Sequence, residues 1–285
     1  MTANIKGELM DLDSPKVMGI LNITPDSFYA GSRRQSEKDI ACRTVQILEE
    51  GGDIIDVGAY SSRPQAAYVS EEEEIERLRF GLEILFREAP QAVVSIDTFR
   101  ANIARECVEK FGAAIINDIS AGELDARMWD TAAELQVPYI AMHMRGTPQN
   151  SREQIQYENL MQDILLYFAE KVGKLNEKGV NDVWIDPGFG FSKTTDQNYE
   201  ILSNLEQFAI LERPLLVGFS RKTMIREVAG VSTENALTGT IALNMFALTK
   251  GACILRVHDV KEAVQTVSIF SKIIHSSLPE GSKNN

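Results

Sequence analysis

The chain has 285 residues, of which 44% are hydrophobic and 25% charged, and its formal net charge is −12. That balance fits one soluble domain of about 250 residues with a sizeable core, and the negative charge argues against nucleic acid or an anionic membrane as a partner. A site for an anionic ligand must then be a local basic cluster on an acidic molecule.

Cys42, Cys107 and Cys253 show no CxxC spacing and read as free thiols of a reducing, cytoplasmic setting. The first residues carry no cationic stretch leading into an apolar run, so no secretory leader is expected. No apolar stretch reaches the ~20 residues of a membrane span. His143, His258 and His275 lack the spacing of a zinc site.

In chain order, residues 1–15 read as a lead-in. An apolar run at 17–21 predicts a first strand, and 36–50 an amphipathic helix stopped by Gly51-Gly52. A strand at 54–57 is followed by a helix at 70–86, where Ser70 and Glu73 have capping-box spacing and the first turn is acidic. Strand 93–96 leads to helix 100–111, stopped by Gly112, and strand 114–116 to helix 125–135, closed by Pro138. Strand 139–142 precedes the longest helix, 153–178. Strand 183–185 precedes helix 196–208, strand 215–217 precedes helix 234–250, and strand 253–255 precedes helix 258–275. Each strand is short and apolar on both faces, as in a buried parallel sheet. Eight such units predict an α/β fold, a (β/α)8 TIM barrel in a single domain over residues 16–275 with a polar tail at 276–285; a doubly wound open sheet is the alternative.

Polar residues follow the strands. Asn22, the segment Ser61-Ser62-Arg63-Pro64, Asp97, Asn117-Asp118, His143, Asp186, Ser220-Arg221-Lys222 and Arg256-Val257-His258 all stand at or just past predicted strand ends. In a barrel these ends meet on one face, where active sites form. Carboxylates beside Asn117 suit the donor edge of a planar heterocycle. Arg63, Lys222, Arg256 and His258 suit a phosphate or diphosphate, and the oxygen of Asn22 suits Mg²⁺, which keeps several waters and few protein ligands. A heterocycle with a diphosphate suggests displacement of a diphosphate leaving group.

Plainer roles compete. Asp97 and Asp118 could cap helices, Asp186 could serve its turn, and His143 could be pocket wall or ligand contact. Residues 71–74, all Glu, read as a solvated helix start, and Arg221 likewise. Met142 and Met144 read as packing. Residues 218–223 lack the spacing of a phosphate-binding GxxxxGK[ST] loop.

Residues 19–28 (Gly-Ile-Leu-Asn-Ile-Thr-Pro-Asp-Ser-Phe), 95–98 (Ser-Ile-Asp-Thr) and 116–118 (Ile-Asn-Asp) resemble segments of the dihydropteroate synthase family. So do 142–148 (Met-His-Met-Arg-Gly-Thr-Pro), 186–191 (Asp-Pro-Gly-Phe-Gly-Phe), 218–222 (Gly-Phe-Ser-Arg-Lys) and 256–259 (Arg-Val-His-Asp). The resemblance spans about residues 16–270. It implies a TIM barrel, usually a homodimer, that joins 6-hydroxymethyl-7,8-dihydropterin diphosphate to 4-aminobenzoate in folate synthesis. It further implies that Asn22 binds Mg²⁺ with the diphosphate, and that Asp97, Asn117, Asp186 and Lys222 meet the pterin ring. Arg63, Arg256 and His258 would hold the diphosphate, with Ser62 and Arg63 near both substrates. Pro64, Phe191, Ser220 and Lys222 would frame the 4-aminobenzoate and sulfonamide pocket, with Met142 and Gly218 also in contact. The family usually reads Gly-Glu-Ser-Thr-Arg-Pro-Gly in its second loop; here residues 59–65 are Ala-Tyr-Ser-Ser-Arg-Pro-Gln, and Ser192 replaces a frequent glycine in the sixth. Two rivals are a methyltetrahydrofolate–corrinoid methyltransferase and a non-catalytic pterin-binding paralogue. Neither has use for a magnesium–diphosphate site.

Overall fold

Eight parallel strands run in the order β8-β7-β6-β5-β4-β3-β10-β9, with β3 (Lys16–Asn22), β4 (Ile54–Gly58), β5 (Val94–Asp97), β6 (Ile115–Asp118), β7 (Tyr139–Met142), β8 (Val183–Asp186), β9 (Leu216–Val217) and β10 (Ile254–Val257). The computed structural model describes residues 1–23, 33–60 and 68–277. The two ends of the order meet: Ile185 bridges Leu215 in parallel register, and the Ile185 N–H donates to the Pro214 carbonyl at 2.9 Å. The sheet is therefore a closed barrel, and the open-sheet alternative falls away.

Closure explains the strand composition. One set of alternate residues, among them Val17, Ile55, Val57, Ile96, Ile116, Val183, Val217 and Leu255, packs outward in one large core with helix residues such as Leu78, Leu82 and Phe168. The other set points into the cylinder. Met18, Ile54, Ile115, Ile140, Trp184, Leu216 and Ile254 form its apolar lower layer. Two residues further along the same strands stand Ile20, Asp56, Asn117, Met142, Asp186, Gly218 and Arg256. The interior thus turns from apolar to polar towards the carboxyl ends.

The lead-in is more than a tail. β1 (Thr2–Ile5) and β2 (Glu8–Asp11) pair antiparallel across Lys6-Gly7, both with positive φ, the backbone of a tight primed hairpin turn. Ala3, Ile5 and Leu12 pack on the lower layer, so the hairpin plugs the amino-terminal end of the barrel.

The helices are α1 (Arg33–Glu49), α2 (Glu71–Glu88), α3 (Ala101–Phe111), α4 (Met128–Leu135), α5 (Leu160–Glu177), α6 (Thr195–Ser203), α7 (Thr223–Ala229), α8 (Leu237–Thr249) and α9 (Val260–Ser277). The expected longest helix begins seven residues late, because the Asn159 side chain caps it by accepting from Gln162 N at 3.1 Å. α6 opens on a full capping box of Thr194 and Gln197. The short α7 has too few turns to show a periodic pattern.

Residues 71–74 correct the expectation of a solvated helix start. Ser70 does cap α2, accepting from Glu73 N at 3.2 Å, yet Glu74 is fully buried. Its carboxylate accepts from Thr98 Oγ1 at 2.7 Å and pairs with the Arg100 guanidinium, which also donates to the Val69 carbonyl at 2.7 Å. Burial raises the Glu74 carboxyl above its ordinary range, while Thr98 and Arg100 oppose that rise. This pair ties α2 to the end of β5, through Thr98 next to Asp97 and Arg100 three residues past it. Glu74→Ala strands a buried guanidinium and should cost about 3–5 kcal/mol of stability. Denaturant unfolding checks this, and a loss below about 1 kcal/mol would refute the structural role.

Candidate active site

The polar layer converges at one mouth of the barrel. Arg256, on β10, reaches across the lumen: Nε donates to Asp56 Oδ2 at 2.6 Å, and Nη2 donates to Asp97 Oδ2 at 2.7 Å. Asp56 also accepts from Asn117 Nδ2 at 3.2 and 3.3 Å. Four strands are thereby joined through side chains. Burial alone disfavours the Arg256 charge, but Asp56, Asp97 and Asp186 outweigh it, so the guanidinium stays protonated. Burial raises the Asp97 carboxyl, Arg256 opposes this, and the charge of Asp56 adds to the rise.

Asp186 ends β8 and turns into a glycine-rich loop. Its Oδ1 accepts from Gly188 N at 2.8 Å. Burial raises its carboxyl, against Lys222, the Gly188 amide and Arg256. Gly188 has φ +69°, and a Cβ there would lie 2.1 Å from the His143 carbonyl oxygen, so only glycine fits this crossing. Lys222 caps the opposite side, donating to the Phe189 carbonyl at 2.5 Å with its Nζ 5.5 Å from the centre of the Phe191 ring. Burial pushes the Lys222 ammonium down to about 8, Asp186 resists, and Arg256 adds to the fall. Phe191 packs with Phe99, Ile119, Leu124, Met142 and Met144 into an apolar wall beside these charges.

Asp97, Asn117, Asp186, Lys222 and Arg256 are thus gathered at one end, with Met142 and Phe191 in the wall. Gly218 adjoins them: a Cβ there would lie 3.7 Å from Arg256 Cβ and 3.9 Å from Lys222 Nζ. Asn22 ends β3 beside Gly58 of β4 and is exposed at the same mouth. Ser220 and His258 sit on the rim, where Ser220 Oγ accepts from His258 N at 3.1 Å. His258 is exposed. Desolvation of its ring and the charge of Arg256 lower its pKa, with Asp259 opposing, so it is a neutral imidazole near pH 7. Ser62, Arg63 and Pro64, like residues 24–28, lie outside the described residues.

Other residues take structural roles. Asp118 is buried and accepts from Ser120 N at 2.8 Å, Ser120 Oγ at 2.7 Å, Gly122 N at 2.8 Å and Tyr139 Oη at 2.7 Å, which locks the turn after β6. Arg221 is no solvated helix start. With φ +56° it pairs with Asp259 at 2.8 and 3.0 Å and donates to the carbonyls of Thr233 and Glu234. His143 is buried with its ring edge-on to Tyr167, centroids 4.8 Å apart, and its Nδ1 lies 2.9 Å from Lys193 Nζ.

Sequence reasoning missed Asp56 and Lys193. Asp56 had a signal: a lone acid within Ile54-Ile55-Asp56-Val57 whose alternation places it inward. Lys193 had none beyond its position after the glycine-rich loop. As to a metal, no group of three or more His, Cys, Asp or Glu suited to one exists among the described residues. The exposed amide of Asn22 at the mouth is an oxygen donor of the kind Mg²⁺ takes, and it would need few other protein ligands if the ion came with a diphosphate.

A family model described as "Pterin binding enzyme" matches residues 18–258. The dihydropteroate synthase of Escherichia coli K12 is 39% identical over 270 residues, covering 93% of each chain. That of Haemophilus influenzae is 38% identical over 264 residues, covering 92% of this chain and 94% of its own. Among solved structures, the Xanthomonas albilineans dihydropteroate synthase with 4-aminobenzoic acid superposes with a TM-score of 0.88 at 33% identity, covering 98% of this chain and 99% of that one. The Yersinia pestis enzyme, solved as a sulfonamide drug complex, gives 0.88 at 36% identity, covering 97% and 100%. With the barrel, the polar mouth and these likenesses in agreement, the chain belongs to the pterin-binding enzyme family.

Proposed function

We propose that the chain is a dihydropteroate synthase, which condenses 6-hydroxymethyl-7,8-dihydropterin diphosphate with 4-aminobenzoate to give 7,8-dihydropteroate and diphosphate. The observation that carries this reading is the convergence of Asp97, Asn117, Asp186, Lys222 and Arg256 at one barrel mouth beside an apolar wall. Acids and an amide match the donor-rich edge of the pterin, and the wall matches a flat ring. A methyltransferase reading would leave the cations without a diphosphate to bind, and a pure binder would have no use for a leaving-group site.

The mechanism follows from charge. The C–O bond to the diphosphate breaks first, and its electrons leave with the diphosphate. The methylene carbon becomes cationic, and the ionised acids of the mouth disperse that charge through the ring. The 4-aminobenzoate nitrogen then forms the new C–N bond and releases a proton. Arg63, Arg256 and His258 receive the diphosphate. Arg256 has more N–H donors than Asp56 and Asp97 take up, and neutral His258 serves as a hydrogen-bond donor. Asn22 would hold Mg²⁺, which would supply charge neutralisation for the departing diphosphate. Ser62, Pro64, Phe191, Gly218 and Ser220 border the 4-aminobenzoate site, and Met142 contacts the ring. Residues 16–275 act as one catalytic domain.

A homodimer and a cytoplasmic location belong to the same reading. Phe246 on α8 and Ile269, Ile273 and Ile274 on the adjoining α9 are exposed, an apolar face that a second copy would cover. Cys42, Cys107 and Cys253 are all free, as in a reducing compartment. No described helix is long and apolar enough to cross a membrane.

Diphosphate release measured with and without 4-aminobenzoate tests the activity. Turnover should require both substrates, and release indifferent to 4-aminobenzoate would reject the synthase. Asp186→Ala should weaken pterin binding by about 1.5–3 kcal/mol, roughly tenfold to a hundredfold, because a charge-assisted pair is lost. Calorimetry showing unchanged affinity would remove Asp186 from the ring site. Chelation of divalent ions should abolish turnover and added Mg²⁺ should restore it; full activity in excess chelator would remove the metal from the scheme.

A further inference from the structure

Lys193 is a buried cation that the reaction does not call on. Among the described residues no carboxylate bonds it. Its Nζ lies 2.9 Å from His143 Nδ1 and donates to the carbonyls of Phe191 at 3.0 Å, Gly188 at 3.2 Å and His143 at 3.4 Å. An ammonium placed among carbonyl oxygens and one ring nitrogen, away from water, is costly unless it serves its surroundings. The Gly188 residue shows what it serves. Its N–H is taken by Asp186 Oδ1 and its C=O by Lys193, so one residue is clamped between the two side chains. The residue before Lys193, Ser192, fixes the same segment: its Oγ accepts from Arg145 N at 2.8 Å and donates to Arg145 O at 3.0 Å.

We propose that Lys193 is a positioning residue for Asp186: through the Gly188 residue it holds the carboxylate toward the mouth, and through its charge it keeps that carboxylate ionised for the pterin ring. This rests on the reading of Asp186 as a ring-binding acid. The groups facing Lys193 are Asp186 on β8, His143 and Arg145 after β7, and Lys222 after β9; those facing Asp186 are Lys193, Lys222 and Arg256. His143 is held neutral, first by burial and then by Lys193 and Arg145, so its Nδ1 is an acceptor. Burial pushes Lys193 down to about 7, with Asp186 opposing and Lys222 and Arg145 adding to the fall. It is therefore an ammonium throughout the acid range in which a carboxyl titrates.

The sign is fixed. Removing a cation beside Asp186 lets the carboxyl keep its proton to higher pH, so ring affinity fails earlier on acidification. The test uses 6-hydroxymethylpterin, which lacks the diphosphate, and follows its affinity from pH 5 to 8 with the whole chain. Lys193→Gln keeps an amide donor for the Gly188 carbonyl but no charge. Its acid limb should move up by roughly half a unit to one unit, with KM for the pterin substrate rising more than kcat falls at pH 6. Lys193→Arg should keep the parent limb. Asp186→Asn should bind weakly at all pH values, any remaining acid limb belonging to Asp97. An unmoved limb in Lys193→Gln, with Asp186→Asn weakened, overturns this inference alone. Unweakened Asp186→Asn overturns the ring role of Asp186 and this inference with it. Should Lys193→Gln not fold, a displaced limb in Lys193→Arg overturns the proposal and an undisplaced one supports it.

Discussion

The guanidinium of Arg256, gripped by Asp56 and Asp97 at the top of the barrel lumen, is the contact on which the mouth depends. A charge facing a low-dielectric interior must be paired, and each partner of this set sits on a different strand. Asp56 comes from β4, Asp97 from β5, Asn117 from β6 and Arg256 from β10. Barrel closure brings β10 within reach of β4 and β5, and the apolar layer of Met18, Ile54, Ile115, Ile140, Trp184, Leu216 and Ile254 beneath them excludes water from below. The same pairing sets the chemistry. Two carboxylates share one guanidinium, so the floor keeps an acidic character towards whatever cationic charge develops above it.

Around this fixed floor hydrogen bonds tie down the loop after β8. Asp186, Gly188 and Lys222 form a second anchor across the lumen, because the loop carbonyl of Phe189 accepts from Lys222 and the loop amide of Gly188 donates to Asp186. Arg221, turned outward by its positive φ, takes Asp259 and two carbonyls of the segment before α8, and so leaves its neighbour Lys222 to face inward. Adjacent cations with opposite tasks are a consequence of that single left-handed residue.

The barrel was legible because each strand had a short apolar run and most of the helices had a clear stop. The mouth was legible in part. Asp97, Asn117, Asp186, Lys222 and Arg256 stand at or just beyond strand ends, where polarity interrupts an apolar run. Asp56 was hidden inside such a run, since two-residue alternation must be followed strand by strand to see that it points inward. Glu74 was hidden for the opposite reason. Four consecutive glutamates look solvated, and only the position of Arg100, twenty-six residues on, makes one of them a buried partner. The hairpin at residues 2–11 was missed because its turn is Lys-Gly, with a residue that seldom takes positive φ.

The two departures from the usual family pattern are answered within the structure itself. Ser192, where glycine is frequent, sits at φ +51°, a backbone region costly for a residue with a Cβ. Its hydroxyl makes two hydrogen bonds to the Arg145 backbone, and its carbonyl accepts from Tyr157 Oη at 2.8 Å. Contacts of this kind contribute about 0.5–1.5 kcal/mol each, comparable to the strain of about 1–2 kcal/mol. Tyr60, in place of the usual glutamate, accepts from Gln149 Nε2 at 2.5 Å, stands edge-on to Phe99 with centroids 5.1 Å apart, and lies 5.5 Å from the Arg100 guanidinium. A carboxylate there would compete with Glu74 for Arg100. An aromatic ring instead meets the guanidinium with its face and leaves the buried pair intact. The loss of the acid from the second loop is therefore compatible with the Glu74–Arg100 tie that braces β5, and through it Asp97, which holds Arg256 in place.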